Sequence, residues 1–330
     1  MSYDERQVDD WTQLRDLLES LSQTRRWIFR GQRCASWELK TSLQRHVPQN
    51  SDLEAAEQKL FGEFKRRAHT YLAQQLIPKD NDDDGEGEGE WLSLMQHFGA
   101  PTRLLDMTNS PYVATYFAVE DESSESHCAV WAIDQRWCLD AAGIVMIEQS
   151  EPGVREKFKQ QPAAMIVPSP GNHIAHARIR LLRAGLLIKL WMEERLPCVV
   201  PYTPNRLSER MSAQQGTFLL PRDVTKPFME CLNTMPDVRQ GVVKITIPAD
   251  HATRGTILER LRAMNIQRAS LFPGLEGFAQ SFRTLLLEEP EHVRSMRDAK
   301  AALDSLKRML KEKPEDSADD DEEPPAGVGT

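Results

Sequence analysis

The sequence predicts an α+β fold, with a mixed, mostly antiparallel sheet as the core and helices flanking it. Three observations carry that expectation. Short apolar runs at 27–30, 128–133, 196–202 and 242–247 have the length and composition of buried strands. Longer segments between them repeat apolar residues at helical spacing. The two kinds do not alternate regularly enough for a doubly wound parallel sheet, and no internal repeat is present.

Val8, Trp11, Leu14, Leu18 and Leu21 define an amphipathic first helix. The apolar run 27–30 reads as a strand halted by Gly31. Leu53, Ala56, Leu60, Phe64 and Tyr71 or Leu72 line one face of a long second helix, which Pro78 ends. Residues 91–98 read as helical, with Gly99-Ala100-Pro101 as the stop. Ser110-Pro111 is a helix start, a hydroxyl N-cap followed by proline at the first helical position. The helix that follows, 112–120, is apolar almost all round and belongs in the core. The strand at 242–247 turns Lys244 and Thr246 outward. Residues 252–264 form a helix and 271–277 a turn-rich loop. The stretch 140–195 carries Pro162, Pro168 and Pro170, then an arginine-rich apolar helix at 174–194. The domain expectation is one α+β domain over 1–289 with an acidic loop at 79–90, a peripheral helix at 290–313 and a disordered acidic tail at 314–330.

Composition narrows the class. A chain of 330 residues with 40% hydrophobic and 28% charged residues can bury a full core. Its apolar stretches fall far short of the ~20 residues that cross a bilayer, and the acidic N-terminus does not resemble a secretory leader. No membrane role is expected. Five scattered cysteines without C-x-x-C spacing argue against a disulfide framework and a zinc site, and fit a cytoplasmic location. The net charge of −9 is concentrated in two acidic runs, 80–90 and 315–323, with seven acids each. Outside them stand 41 bases and 36 acids, so the body is mildly basic and suits an anionic ligand.

Several chemistries lack their motifs. There is no phosphate-loop, dinucleotide-binding, nucleophile-elbow or zincin signature. Asp80, Asp82, Asp84 and Gly85 mimic a calcium loop, but Trp91 stands where its bidentate glutamate is required. His173 and His176 lack a third ligand nearby and read as surface histidines. No metal is expected.

Three stretches are denser in polar groups than a bland fold needs. In Trp27-Ile28-Phe29-Arg30-Gly31-Gln32, an arginine at a strand end precedes a glycine, which suits a phosphate or carboxylate; an internal salt bridge is the alternative. Between Gln96 and Ser110, the residues Thr102, Arg103, Asp106, Thr108 and Ser110 crowd a short segment that enters a buried helix. Such groups must find partners in one another or in a ligand, and Arg103 with Asp106 can be a buried structural pair. In Pro273-Gly274-Leu275-Glu276-Gly277, Glu276 is either a positioned carboxylate or the N-terminal acid of the next helix. A fourth, weaker cluster runs from Arg210 to Phe218.

Taken together these residues resemble the FRG-domain family, through Phe29-Arg30-Gly31-Gln32, Ser42-Leu43, Gln96-His97, residues 101–106, Thr108, Ser110-Pro111 and Phe117-Ala118-Val119. The resemblance extends over residues 11–282, with Phe98 a departure from the family pattern. A second, topological resemblance is to arginine-type ADP-ribosyltransferases, which order an arginine, a Ser/Thr-rich strand and a late glutamate; their Ser-Thr-Ser triplet and Glu-x-Glu are absent here. That resemblance implies a transferase-like fold and an enzyme acting on NAD. Glu276 and Arg30 would be catalytic, and Arg30, Gly31, Gln32, Thr102, Arg103, Asp106, Thr108 and Ser110 would bind NAD. It also implies a macromolecular acceptor, protein or nucleic acid. The FRG-family resemblance implies a bacterial toxin or phage-defence setting, and with it an antitoxin or other regulatory partner. Two other classes stand beside it: a non-catalytic module that senses an anionic ligand or nucleic acid, for which Arg178, Arg180 and Arg183 would add charge, and a metal-independent ribonuclease toxin.

Overall fold

The computed structural model describes residues 3–24, 26–48, 51–72, 77–78, 86–122, 125–149, 195–205, 208–285, 299–300 and 302–307. The acidic residues 79–85, the stretch 150–194 with its histidines and arginines, and the tail 308–330 lie outside them. The chain divides into two compact units, 1–287 and 288–330; in the second, residues 302–307 are helical.

The first unit is α+β. Its strands are β1 (Asp4–Gln7), β2 (Trp27–Gln32), β3 (Leu105–Thr108), β4 (His127–Asp134), β5 (Val199–Tyr202), β6 (Gly216–Pro221) and β7 (Val242–Pro248). They form one seven-stranded sheet in the order β1-β7-β4-β2-β3-β6-β5. Every neighbouring pair is antiparallel except β1 with β7. The helices are α1 (Trp11–Thr24), α2 (Ser42–His46), α3 (Leu53–Ala68), α4 (Glu86–His97), α5 (Pro111–Val119) and α6 (Gln135–Gln149), followed by α7 (Glu209–Ala213), α8 (Phe228–Asn233), α9 (Val238–Gly241), α10 (His251–Ala263), α11 (Arg268–Leu271) and α12 (Leu275–Leu285).

Strand alternation sorts the core. Phe29, Val130, Ala132 and Ile245 join Leu14, Leu18, Ala114 and Leu258 in one buried cluster. Their neighbours Ile28, Trp131, Ile133 and Val242 join Leu92, Met95, Cys138 and Phe228 in the other. Because residues adjacent in a strand point to opposite faces, this half of the sheet is covered on both sides. Lys244 turns away from Val243 and Ile245 as its alternation expects. It is nevertheless buried, with Nζ 5.5 Å from the Trp131 ring centroid and 3.3 Å from Glu5 Oε1.

Several boundaries differ from the sequence reading. Gly31 lies inside β2, because a Cβ there would stand 2.0 Å from the Ala114 carbonyl oxygen and 2.5 Å from the Ala118 nitrogen. The glycine therefore lets α5 press its main chain onto the strand. Residues 86–90, expected in the acidic loop, open α4, where Gly89 gives room to the Tyr202 ring. The loop expected at 271–277 holds the end of α11 and the start of α12. At 196–198 the chain is not yet strand.

Helix α5 is fixed at both ends. Ser110 caps it, its side chain accepting from the Val113 amide at 3.3 Å, with Pro111 in the first turn. At the other end Arg254 donates from Nε to the Val119 carbonyl at 3.1 Å and from Nη2 to that of Glu120 at 3.3 Å. Ser110→Ala is expected to cost about 1 kcal/mol of stability; unchanged denaturant unfolding would show that the cap contributes nothing.

Candidate functional site at the sheet fork

β2 pairs with β4 along its whole length, from Trp27↔Asp134 to Gln32↔Ala129. With β3 it shares one pairing, Phe29↔Thr108. Among the described residues no further registered pair joins the two strands, so the ladder forks in the middle of the sheet.

Arg30 stands at the fork. Its Nη1 donates to the Asp106 main-chain carbonyl at 2.7 Å and lies 3.8 Å from the Asp106 carboxylate. The Arg30 side chain is 19% exposed. Burial lowers its proton affinity, Asp106 raises it, and nearby Arg45 lowers it again. A guanidinium stays charged through such a shift. The Arg30 Nε is buried and has no hydrogen-bond partner among the described residues. An unmet buried donor costs about 1–3 kcal/mol, so an acceptor that reaches it binds with advantage.

Asp106 leads into a connected polar network. Gln96 Nε2 donates to Asp106 Oδ2 at 2.9 Å. The Thr102 hydroxyl donates to Gln96 Oε1 at 2.7 Å. The Ser42 hydroxyl accepts from the Thr102 amide at 2.9 Å and has Gln96 Oε1 at 3.0 Å. Gly99, at φ +84°, turns the chain out of α4 so that residues 100–104 fold back beside Gln96. The Ala100 amide bonds to the Met95 carbonyl across that turn.

Beside the fork, the end of β2 and the loop after it line a cavity of about 740 Å³. Arg30, Arg33, Lys40 and Arg45 line it with the indole of Trp37. Phe117 and Asp121 reach it from the α5 side. Glu38 and Asp121 are its two acids, so cations exceed anions there. The Arg33 guanidinium carbon lies 5.0 Å from the Trp37 ring centroid.

A family model of the FRG domain matches residues 25–127, the segment that contains β2, β3, α2 to α5 and the network just described. The chain contains an FRG domain. No curated protein and no solved structure matches the chain.

The residues singled out in the sequence separate into groups. Arg30, Gly31, Gln32 and Asp106 meet at the fork of the FRG domain; Gln32 Oε1 accepts from Trp131 Nε1 at 2.7 Å. Arg103 does not pair with Asp106. It is fully buried against Glu57 of α3, its Nε 2.8 Å from both carboxylate oxygens and its Nη2 also bonded. The hydroxyls of Thr102, Thr108 and Ser110 are engaged internally, Thr108 donating to the Gln214 carbonyl at 2.7 Å. Glu276 lies outside the family match, exposed in the first turn of α12, and accepts from Gln280 Nε2 at 3.0 Å.

Arg210 stands between the two regions. Burial lowers its proton affinity most, and Asp106 and Glu276 both oppose that. Its guanidinium lies 4.5 Å from the Phe272 ring centroid. Burial and then Arg210 also hold the His97 imidazole below its ordinary range, so it is neutral at neutral pH. Trp37, Arg33, Lys40 and Arg45 were not foreseen as site residues. For the first three the signal is a tryptophan set among charges, Arg33-Cys34-Ala35-Ser36-Trp37-Glu38-Leu39-Lys40, in a stretch with no apolar periodicity. Among the described residues no group of three or more His, Cys, Asp or Glu side chains is placed to hold a metal, and no helix is long and apolar enough to cross a membrane.

Proposed function

We propose that the fork of the FRG domain binds NAD through its diphosphate and that the chain is an ADP-ribosyltransferase-like effector. The observation that supports this reading is Arg30, which lines a cation-rich cavity of a size that holds a small molecule and whose buried Nε has no partner among the described residues. In the reaction the bond between the nicotinamide nitrogen and ribose C1′ breaks. Both bonding electrons leave with nicotinamide, which departs neutral. A nucleophile of the macromolecular acceptor forms the new bond to C1′ and gives up its proton. Glu276 would hydrogen-bond the ribose 2′-hydroxyl and stabilise the positive charge that develops at C1′. No metal takes part, so a chelator leaves turnover unchanged.

A second reading is favoured by one observation: the hydroxyls of Thr102, Thr108 and Ser110 are bonded within the protein. A module that senses an anionic nucleotide without chemistry needs Arg30 and none of those hydroxyls.

Nicotinamide release from NAD separates the two. Glu276→Gln is expected to fold normally, to bind NAD, and to lose about 100-fold or more in turnover. Arg30→Ala is expected to weaken NAD binding about tenfold or more. Binding by the wild type without nicotinamide release assigns the sensing role, and RNA fragmentation without NAD rejects both. Label transferred from NAD in a cell extract would identify the acceptor.

A further inference from the structure

We infer that the fork cavity also recognises a nucleobase, which stacks on Trp37 while the diphosphate meets Arg30, so that its ligand class is nucleoside diphosphates. This rests on the reading that the cavity binds a phosphate-bearing ligand at Arg30.

Trp37 is 43% exposed, although its indole is the largest apolar side chain near the cavity. Exposure of that kind in a loose loop would say little. This loop is tied down on both sides of the ring. Cys34 and Leu39 are buried on either side of Trp37. The Ala35 amide donates to the His127 carbonyl at 3.0 Å, and the Ser36 amide to Glu125 Oε2 at 3.0 Å. The Ser36 hydroxyl bonds to the same carboxylate. Gln32 Nε2 donates to the Glu38 carbonyl at 3.2 Å, and Gln32 is itself bonded by Trp131. The strand that delivers Arg30 therefore also anchors the loop that presents Trp37, and both groups are set before a ligand arrives.

The Arg33 guanidinium lies over the indole and adds positive charge beside it. The exposed area of the ring suits a flat aromatic group. An inorganic phosphate or a carboxylate would use the cations and leave Trp37 idle. A nucleoside diphosphate uses both, with its base on the indole and its phosphates among Arg30, Lys40 and Arg45. For NAD this sets a direction. The adenosine end lies at Trp37, and the nicotinamide riboside extends past Arg30 toward Asp106.

Calorimetric titration of the full chain with ADP and with inorganic pyrophosphate tests the inference. Trp37→Ala is expected to weaken ADP binding about tenfold and to leave pyrophosphate binding unchanged. Trp37→Phe is expected to retain most of the ADP affinity, whereas Arg30→Ala weakens both ligands. If Trp37→Ala binds ADP as the wild type does, or loses ADP and pyrophosphate equally, the base platform is wrong and the Arg30 reading stands. If the wild type binds neither ligand, the fork is not a phosphate site and both readings fall.

Discussion

Arg103→Ala is expected to destabilise the FRG domain by about 3–5 kcal/mol, the range seen when one partner of a buried ion pair is removed. Arg103 and Glu57 are 2% and 1% exposed, and the guanidinium bonds both carboxylate oxygens. Taking the arginine away leaves a carboxylate in the interior without its cation, which is worse than having no charge there. The double change Arg103→Met with Glu57→Leu should recover much of the loss, because it removes the stranded charge as well. The pair also ties α3 to the segment that carries Thr102 and Asp106, so the single variant should weaken ligand binding at Arg30. Urea unfolding of the single and double variants checks this. A single variant within about 1 kcal/mol of wild type would show that the pair is not a structural tie.

Gly31→Val is expected to cost on the order of 3 kcal/mol or more, at the upper end of overpacking effects. The atoms a Cβ would strike, the Ala114 carbonyl oxygen and the Ala118 nitrogen, are main chain of a helix capped at both ends. They can yield only if α5 lifts from the sheet as a body. That movement would displace Phe117 and Asp121, so the variant should also lose ligand binding at the fork. Gly62, in α3, is the control. A Cβ there meets nothing within 4 Å, and Gly62→Ala should stabilise by up to about 1 kcal/mol. Thermal unfolding of both variants decides it, and a Gly31→Val protein as stable as wild type would mean that α5 does not press on β2.

The parts of the fold that were legible in the sequence are those where local pattern and burial agree. β2, β4 and β7 show as apolar runs, and α1, α3 and α5 show by spacing and, for α5, by its Ser-Pro start. β1 was not legible. Its sequence Asp4-Glu5-Arg6-Gln7 has no apolar residue, and it is a strand because β7 offers it a parallel partner and Lys244 meets Glu5. Glycines misled in three places for one reason. At Gly31, Gly89 and Gly277 the missing side chain makes room for a neighbour (α5, Tyr202 and the Phe272 carbonyl), a demand that cannot be seen along the chain. In the site, the motif residues were visible but their partners were not. Arg103 has an acid nearby in sequence and pairs with Glu57, 46 positions earlier, whereas Asp106 pairs by amide with Gln96.

Unpaired strand rims invite other chains to add on, which is why proteins keep them short, charged or covered. Here the outermost strands have four residues each, and β1 is charged. The break in the ladder lies instead inside the sheet, between β2 and β3, where Arg30 reaches from one strand to the Asp106 carbonyl of the other. The geometry separates recognition from self-association: the cavity beside Arg30 offers cationic and aromatic side chains to a ligand, while the outer rims that could stack copies of the chain stay short.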